Sequence, residues 1–137
     1  MQDGKMIAGL NEALSRELTT VIRYLLEGSM IKGIENQPLR DLYQKEIPDE
    51  IGHARYLADK IVMLGGTPTV KIDVPTLPVE VSKMIQADLK AEESDIELYS
   101  KLAEMAGHAG DVELRLKMEE QAADEQRHAE ALRRLQG

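Results

Sequence analysis

The sequence predicts an all-α protein: an antiparallel bundle of four long helices, with one long crossover between the second helix and the third. Three observations carry this. Apolar residues recur every three or four positions through four separate stretches, clusters of glycine and proline divide those stretches, and the supply of core side chains is almost wholly aliphatic. Aromatic residues make up only 3%, as four Tyr with no Phe or Trp, which suits a helical bundle far better than a β-sandwich. A chain of 137 residues gives room for one domain, 1–137, with a real core.

The first helix is expected from roughly Asp3 to Lys32, fading at Gly33, with Ile7, Leu10, Leu14, Val21, Leu25 and Ile31 as its apolar stripe. The second runs from about Gln37 to Leu64 and stops at Gly65-Gly66. Pro48 lies inside it, two residues before Glu50; it lacks an N–H and crowds the carbonyl of Gln44, so a kink or local widening is expected there. Thr67 to Pro78 is a loop holding Pro68, Pro75 and Pro78, in which Val70 to Val74 alternates like a short strand. The third helix spans about Val79 to Ala106 and gives way to Gly107-His108-Ala109-Gly110. Asp111 is placed to cap the fourth, which carries Leu114, Met118, Leu132 and Leu135. Short links make each helix pair an antiparallel hairpin. The middle loop, extended, reaches about 40–46 Å, and a helix of about 28 residues is about 42 Å long. The loop can therefore cross the whole bundle and leave the second and third helices parallel.

Composition narrows the function. Lys and Arg total 17 against 25 Asp and Glu, a net charge of −8, and neither end carries a basic tail, so nucleic acid is not an expected partner. The absence of Cys excludes disulfides, thiolate metal sites, iron–sulfur clusters and cysteine catalysis. No apolar run approaches the roughly 18 residues of a membrane span, and Met1 to Leu10 lacks the apolar core of a signal peptide. A soluble, cytoplasmic protein with no membrane partner is the expectation.

The helix seams contain residues that do not belong in an apolar core. The first reads Ile7, Leu10, Leu14, Glu17, Val21, Tyr24, and the second Leu39, Tyr43, Glu46, Glu50, His53, Leu57. The third includes Val81, Ile85, Glu92, Ile96 and Tyr99, and the fourth Leu114, Met118, Gln121, Glu125, His128, Leu132. Each helix thus puts a Glu near its middle, facing inward. Glu17, Tyr24, Glu50 and His53, each advanced by 75, become Glu92, Tyr99, Glu125 and His128. Four specific matches at one offset mark an internal duplication of a helical hairpin carrying E-x6-Y and E-x-x-H. Unpaired buried carboxylates cost several kcal/mol each, and no Lys or Arg recurs on these inner faces near the Glu–His levels. Metal cations are left to balance four carboxylates, with neutral His completing the set. Oxygen and imidazole ligands without sulfur suit iron or manganese, with zinc as competitor, and residues three apart share a helix face.

In the segments E-L-T-T-V-I-R-Y, D-E-I-G-H-A-R-Y, A-E-E-S-D-I-E-L-Y and D-E-Q-R-H-A-E, the chain resembles the ferritin-like di-iron carboxylate proteins, most closely the bacterioferritins. The resemblance implies a ferritin-like bundle holding a di-iron site. In it Glu17 and His53 are terminal ligands of one iron, Glu92 and His128 of the other, and Glu50 and Glu125 bridge the two. It implies that Tyr24 and Tyr99 hold carboxylates or give up single electrons; plain core packing is the alternative. It further implies a ferroxidase that binds Fe(II), oxidises it to Fe(III) with O2 or H2O2, and serves iron storage or detoxification in a homo-oligomer, a dimer or a larger cage. The alternatives are a rubrerythrin-like peroxidase, a di-manganese catalase-like enzyme, or a non-enzymatic mini-ferritin-like metal binder. Bacterioferritins bind haem between subunits through a Met directly after the second-helix Glu; here that position is Ile51, which speaks against haem. The sequence closes at Gly137, just past the fourth helix and without a short fifth one, which leaves the assembly size open. Glu93 is the alternative to Glu92, Glu46 is either a cation-entry group or a solvated carboxylate, and His108 is expected as an exposed loop residue.

Overall fold

A computed structural model of the chain describes residues 2–136; the ends of the expected 1–137 domain, Met1 and Gly137, lie outside the described residues. Helices α1 (Gln2–Met30) and α2 (Gln37–Met63) form the first hairpin, joined by a short 3₁₀ turn at Ile34–Asn36. Helices α3 (Val81–His108) and α4 (Val112–Gln136) form the second. The ends are set by local chemistry. Gly65 and Gly110 take left-handed backbone (φ 89° and 76°), which an L side chain resists, so the chain can turn out of α2 and α3 there. The Leu114 N–H donates to Asp111 Oδ1 at 3.0 Å, the expected cap of α4. Helix α2 runs through Pro48 as one element.

The segment between α2 and α3 is a strap, not a strand: residues 66–78 hold no regular structure, so the alternation of Val70 to Val74 does not become β. No second extended segment exists among the described residues to pair with it, and its polar backbone turns to α1 instead. Asn11 Nδ2 donates to the Thr67 carbonyl at 3.2 Å, the Thr69 N–H donates to Asn11 Oδ1 at 2.8 Å, and the Lys71 N–H donates to Ser15 Oγ at 3.0 Å. Helix α3 begins at Val81, two residues later than the pattern suggested, and runs to His108.

Between the hairpins α1 packs against α3 and α2 against α4. The contacts Arg16–Asp95 and Arg23–Asp88 make α1 and α3 antiparallel, and His53–Asp124 and His128–Asp49 do the same for α2 and α4. The sequence offset of 75 becomes a pseudo-two-fold that exchanges the hairpins and, with them, the two ends of the bundle. Two apolar clusters result. One gathers Leu10, Leu14, Leu57, Ile61, Leu102 and Met118; the other Tyr24, Tyr43, Met84, Ile85 and Leu132. Each fully buried Leu or Ile stabilises the fold by about 1.5–3 kcal/mol. Between the clusters lies a buried polar layer of Glu17, Glu50, His53, Glu92, Glu125 and His128.

Candidate metal centre

All six singled-out residues meet in that layer. Glu17 comes from α1 and Glu92 from α3; Glu50 with His53, and Glu125 with His128, come from α2 and α4, each pair one turn apart on a single face. His53 Nδ1 lies 3.4 Å from Glu17 Oε1, 3.5 Å from Glu125 Oε1 and 4.0 Å from Glu50 Oε1. His128 Nδ1 lies 3.1 Å from Glu50 Oε1 and 3.5 Å from Glu125 Oε1. Two ligand groups emerge, Glu17 with Glu50, His53 and Glu125, and Glu92 with Glu125 and His128, each with its donor atoms inside 4.8 Å. Glu125 belongs to both.

The atoms turned inward have no protein partner. Both oxygens of Glu50 and of Glu125, Oε2 of Glu17 and of Glu92, and Nδ1 of both histidines are buried without a hydrogen bond. Orphaned polar atoms in a native core demand explanation. Here every one is a lone-pair donor of the type that hard or borderline divalent cations take. The outward atoms, by contrast, are satisfied. His53 Nε2 bonds Asp124 Oδ2 at 2.8 Å, and His128 Nε2 lies 3.4 Å from both Asp49 Oδ2 and Glu46 Oε2. A proton held at Nε2 by these carboxylates leaves the Nδ1 lone pair free to face the centre.

The tyrosines bond across the hairpins. The Tyr24 hydroxyl donates to Glu92 Oε1 and the Tyr99 hydroxyl to Glu17 Oε1, so each fixes the carboxylate of the other half. Both do more than pack.

Burial sets the protonation of the cation-free centre. It drives Glu50 well above the usual carboxylate range, helped by the charges of Glu17 and Glu125. Glu125 is likewise pushed up, by burial first and then by Glu17 and Glu92. Burial works on Glu17 in the same sense, but the nearby Glu50 carboxyl and the His53 imidazole, 3.4 Å away, outweigh it and hold Glu17 below the usual value. Burial works against a proton on His53, yet Glu17 and Asp124 overcome it and raise the pKa. Glu50 and Glu125 are therefore the two carboxylates of the centre that burial drives toward their protonated forms.

Several expectations change in detail. Glu93 faces outward, 3.4 Å from Arg133, while Glu92 is in the centre. Glu46 is not solvated: it is buried beside His128, because α4 closes over that face of α2. His108 is exposed near Glu104. Arginines do reach the interior near the Glu–His levels. Arg16 and Arg23 each sit one residue before a seam position, Glu17 and Tyr24, and their long stems carry guanidinium groups onto buried Asp95 and Asp88. Asp49, Asp124, Asp88 and Asp95 escaped the sequence reading. Asp49 and Asp124 carried a usable signal, since they too are 75 apart and extend each motif to D-E-x-x-H.

No helix among the described residues is long and apolar enough to cross a membrane. Comparison with known proteins agrees with the geometry. The chain superposes on a ferritin-like, diiron-carboxylate protein from Bacillus anthracis strain Ames with a TM-score of 0.95 and 38% identity, covering 100% of this chain and 99% of that one. For Desulfovibrio desulfuricans bacterioferritin, whose structure shows a diiron site in different catalytic states, the TM-score is 0.89 at 26% identity, covering 98% and 80%. A bacterioferritin of Brucella melitensis is 29% identical over 129 residues, 93% of this chain and 80% of the relative. Residues 7–137 match the family model of the ferritin-like domain, and with four helices, a long strap and a duplicated carboxylate–histidine layer, the chain belongs to that family.

Proposed function

We propose that each chain binds two Fe(II) ions in the buried layer and oxidises them to Fe(III) with O2 or H2O2, as a ferroxidase serving iron storage or detoxification. The observation that carries this is the convergence of orphaned oxygens and Nδ1 atoms on one buried space, in a chain related to bacterioferritins and similar in fold to diiron-carboxylate proteins. Iron here is the substrate. Glu17 with His53 holds one ion and Glu92 with His128 the other, while Glu50 and Glu125 span both and give up their protons on loading. Tyr24 and Tyr99 keep Glu92 and Glu17 aimed at the ions, and Asp124 and Asp49 orient the imidazoles. Two electrons leave the pair of Fe(II) ions together. With two protons they reduce O2 to H2O2 or H2O2 to two waters. Manganese or zinc would fit the same donors. With Ile51 after Glu50, haem is not part of the proposal. A homo-oligomer, dimer or cage, is part of it; exposed Leu25, Leu26 and Met63 supply apolar surface for contacts between copies.

The test is an anaerobic Fe(II) titration followed by a pulse of O2 or H2O2. Two ions per chain should bind in a high-affinity phase and oxidise together on the pulse. Saturation at one ion, or oxidation no faster than in buffer, would refute the proposal.

A further inference from the structure

The strap covers a cavity of about 200 Å³ on the α1/α3 side of the bundle, away from the histidines. Its α1 wall is Ser15, Arg16, Thr19, Thr20 and Arg23, a stripe of hydroxyls between two guanidinium groups two turns apart. Lys71 hangs over it from the strap, held there by its own backbone bond to Ser15 Oγ. The two arginines meet their acids through Nε: Arg16 reaches Asp95 Oδ1 at 2.6 Å and Arg23 reaches Asp88 Oδ1 at 2.8 Å. The far end of Arg23 is not engaged, since its Nη2 is buried with no hydrogen-bond partner. An orphaned guanidinium nitrogen enclosed in the wall of a cavity is an unmet donor of high strength.

Charge marks the cavity out from the rest of the protein. The chain carries −8 overall, whereas this lining sets three cations against Asp73 and Asp95; Arg16 pairs with Asp95 and Arg23 with Asp88, and Lys71 has no ion-pair partner among the described residues. Three hydroxyls and an arginine fork are the donor set that suits a tetrahedral oxyanion. We propose that this cavity binds a small oxyanion, inorganic phosphate, between Arg23, the Thr19 and Thr20 hydroxyls and Lys71. Its floor, Thr20 and Asp95, lies one turn beyond Glu17 and Glu92 on their own helices. The bound anion therefore sits behind the carboxylate layer and favours positive charge there, though its own binding does not depend on iron chemistry.

The experiment is calorimetric titration of chelator-treated protein with sodium phosphate at neutral pH and fixed ionic strength, with sodium acetate as control. Wild type should take up one phosphate per chain saturably, with no comparable response to acetate. Lys71→Glu, an exposed change on the strap, should weaken phosphate about tenfold. Thr20→Val should weaken it a few-fold with the fold intact by circular dichroism, and Arg23→Gln should abolish it. Should Arg23→Gln fail to fold, the other two variants decide. No saturable uptake, an equal response to acetate, or wild-type affinity in both Lys71→Glu and Thr20→Val would overturn the proposal.

Discussion

The pseudo-two-fold sets the two ends of the bundle side by side as corresponding structures, and they have become different materials. At one end Ala13, Leu98, Leu102 and Met118 pack as an aliphatic plug. At the other the same positions, shifted by 75, are Asp88, Arg23, Glu27 and Tyr43. There the Tyr43 hydroxyl donates to Asp88, Arg23 Nε bonds the same carboxylate, and Glu27 is fully buried with neither oxygen hydrogen-bonded, its Oε1 3.5 Å from Arg23 Nε. The Tyr24 and Tyr43 rings stack with centroids 4.7 Å apart, a contact Tyr99 cannot make with Met118 in the matching place. Between these unlike ends the six-residue centre has kept its symmetry. On the proposed function two cations would demand equivalent donors in the middle, while the ends answer only to packing and to hydrogen-bond satisfaction.

The sharpest way to separate middle from ends is metal removal. A thousandfold excess of Zn(II) over its Kd should stabilise the chelated protein by about 4 kcal/mol, read as a rise in Tm. Glu50→Ala and Glu125→Ala should each abolish the gain, whereas equal Tm with and without metal would break the idea of a strained middle. Next in size is the aliphatic plug. Leu102→Ala should cost about 3 kcal/mol by denaturant unfolding, with no dependence on pH or metal. The histidine supports should behave unequally despite the symmetry, because Asp124 sits at 2.8 Å from its imidazole and Asp49 at 3.4 Å. Asp124→Asn should weaken one of the two ions by roughly 10–100-fold in a Co(II) titration, Asp49→Asn by less, and His108→Ala by nothing. At the polar end the effect turns on pH. Burial, with Asp88 alongside, pushes Glu27 up to about 9 from its ordinary 4.5. A carboxyl that binds its proton more tightly folded than unfolded contributes fully below about 4.5 and loses that contribution as pH rises through about 9. Glu27→Gln should therefore raise the stability of the metal-free protein by an amount that grows with pH, small at pH 5, larger at pH 7 and largest at pH 9. A constant offset at every pH would show that Glu27 is ionised in the fold.

What could be read from the sequence tracks what repeats. The four helices follow from an apolar period of three to four residues divided by glycine and proline. The centre follows because Glu17, Glu50, His53 and their copies interrupt that period at matching places. Residues whose roles arise from an unlike neighbour stayed hidden. The Tyr24–Glu92 and Tyr99–Glu17 bonds require knowing that α1 and α3 lie antiparallel, which no spacing within one helix reveals. Arg23 lies one residue before a seam position, and Asp88, 65 positions away, explains its burial. Val70 to Val74 alternates as a strand would, but its backbone meets the Ser15 side chain at Lys71, just after Asn11 has taken Thr67 and Thr69.

Those crossed tyrosine bonds carry a consequence for ancestry. A single hairpin holds half of every pair in the centre: a carboxylate whose tyrosine is elsewhere, and an imidazole whose aspartate is elsewhere. Two copies of one hairpin about a true two-fold would rebuild all of it, with both ends of the bundle forced to be identical. Joining the copies through the strap lifts that constraint, because a change at one end is no longer made twice. Asp88, Arg23, Glu27 and Tyr43 at one end, against Ala13, Leu98, Leu102 and Met118 at the other, are differences that only a fused chain can accumulate.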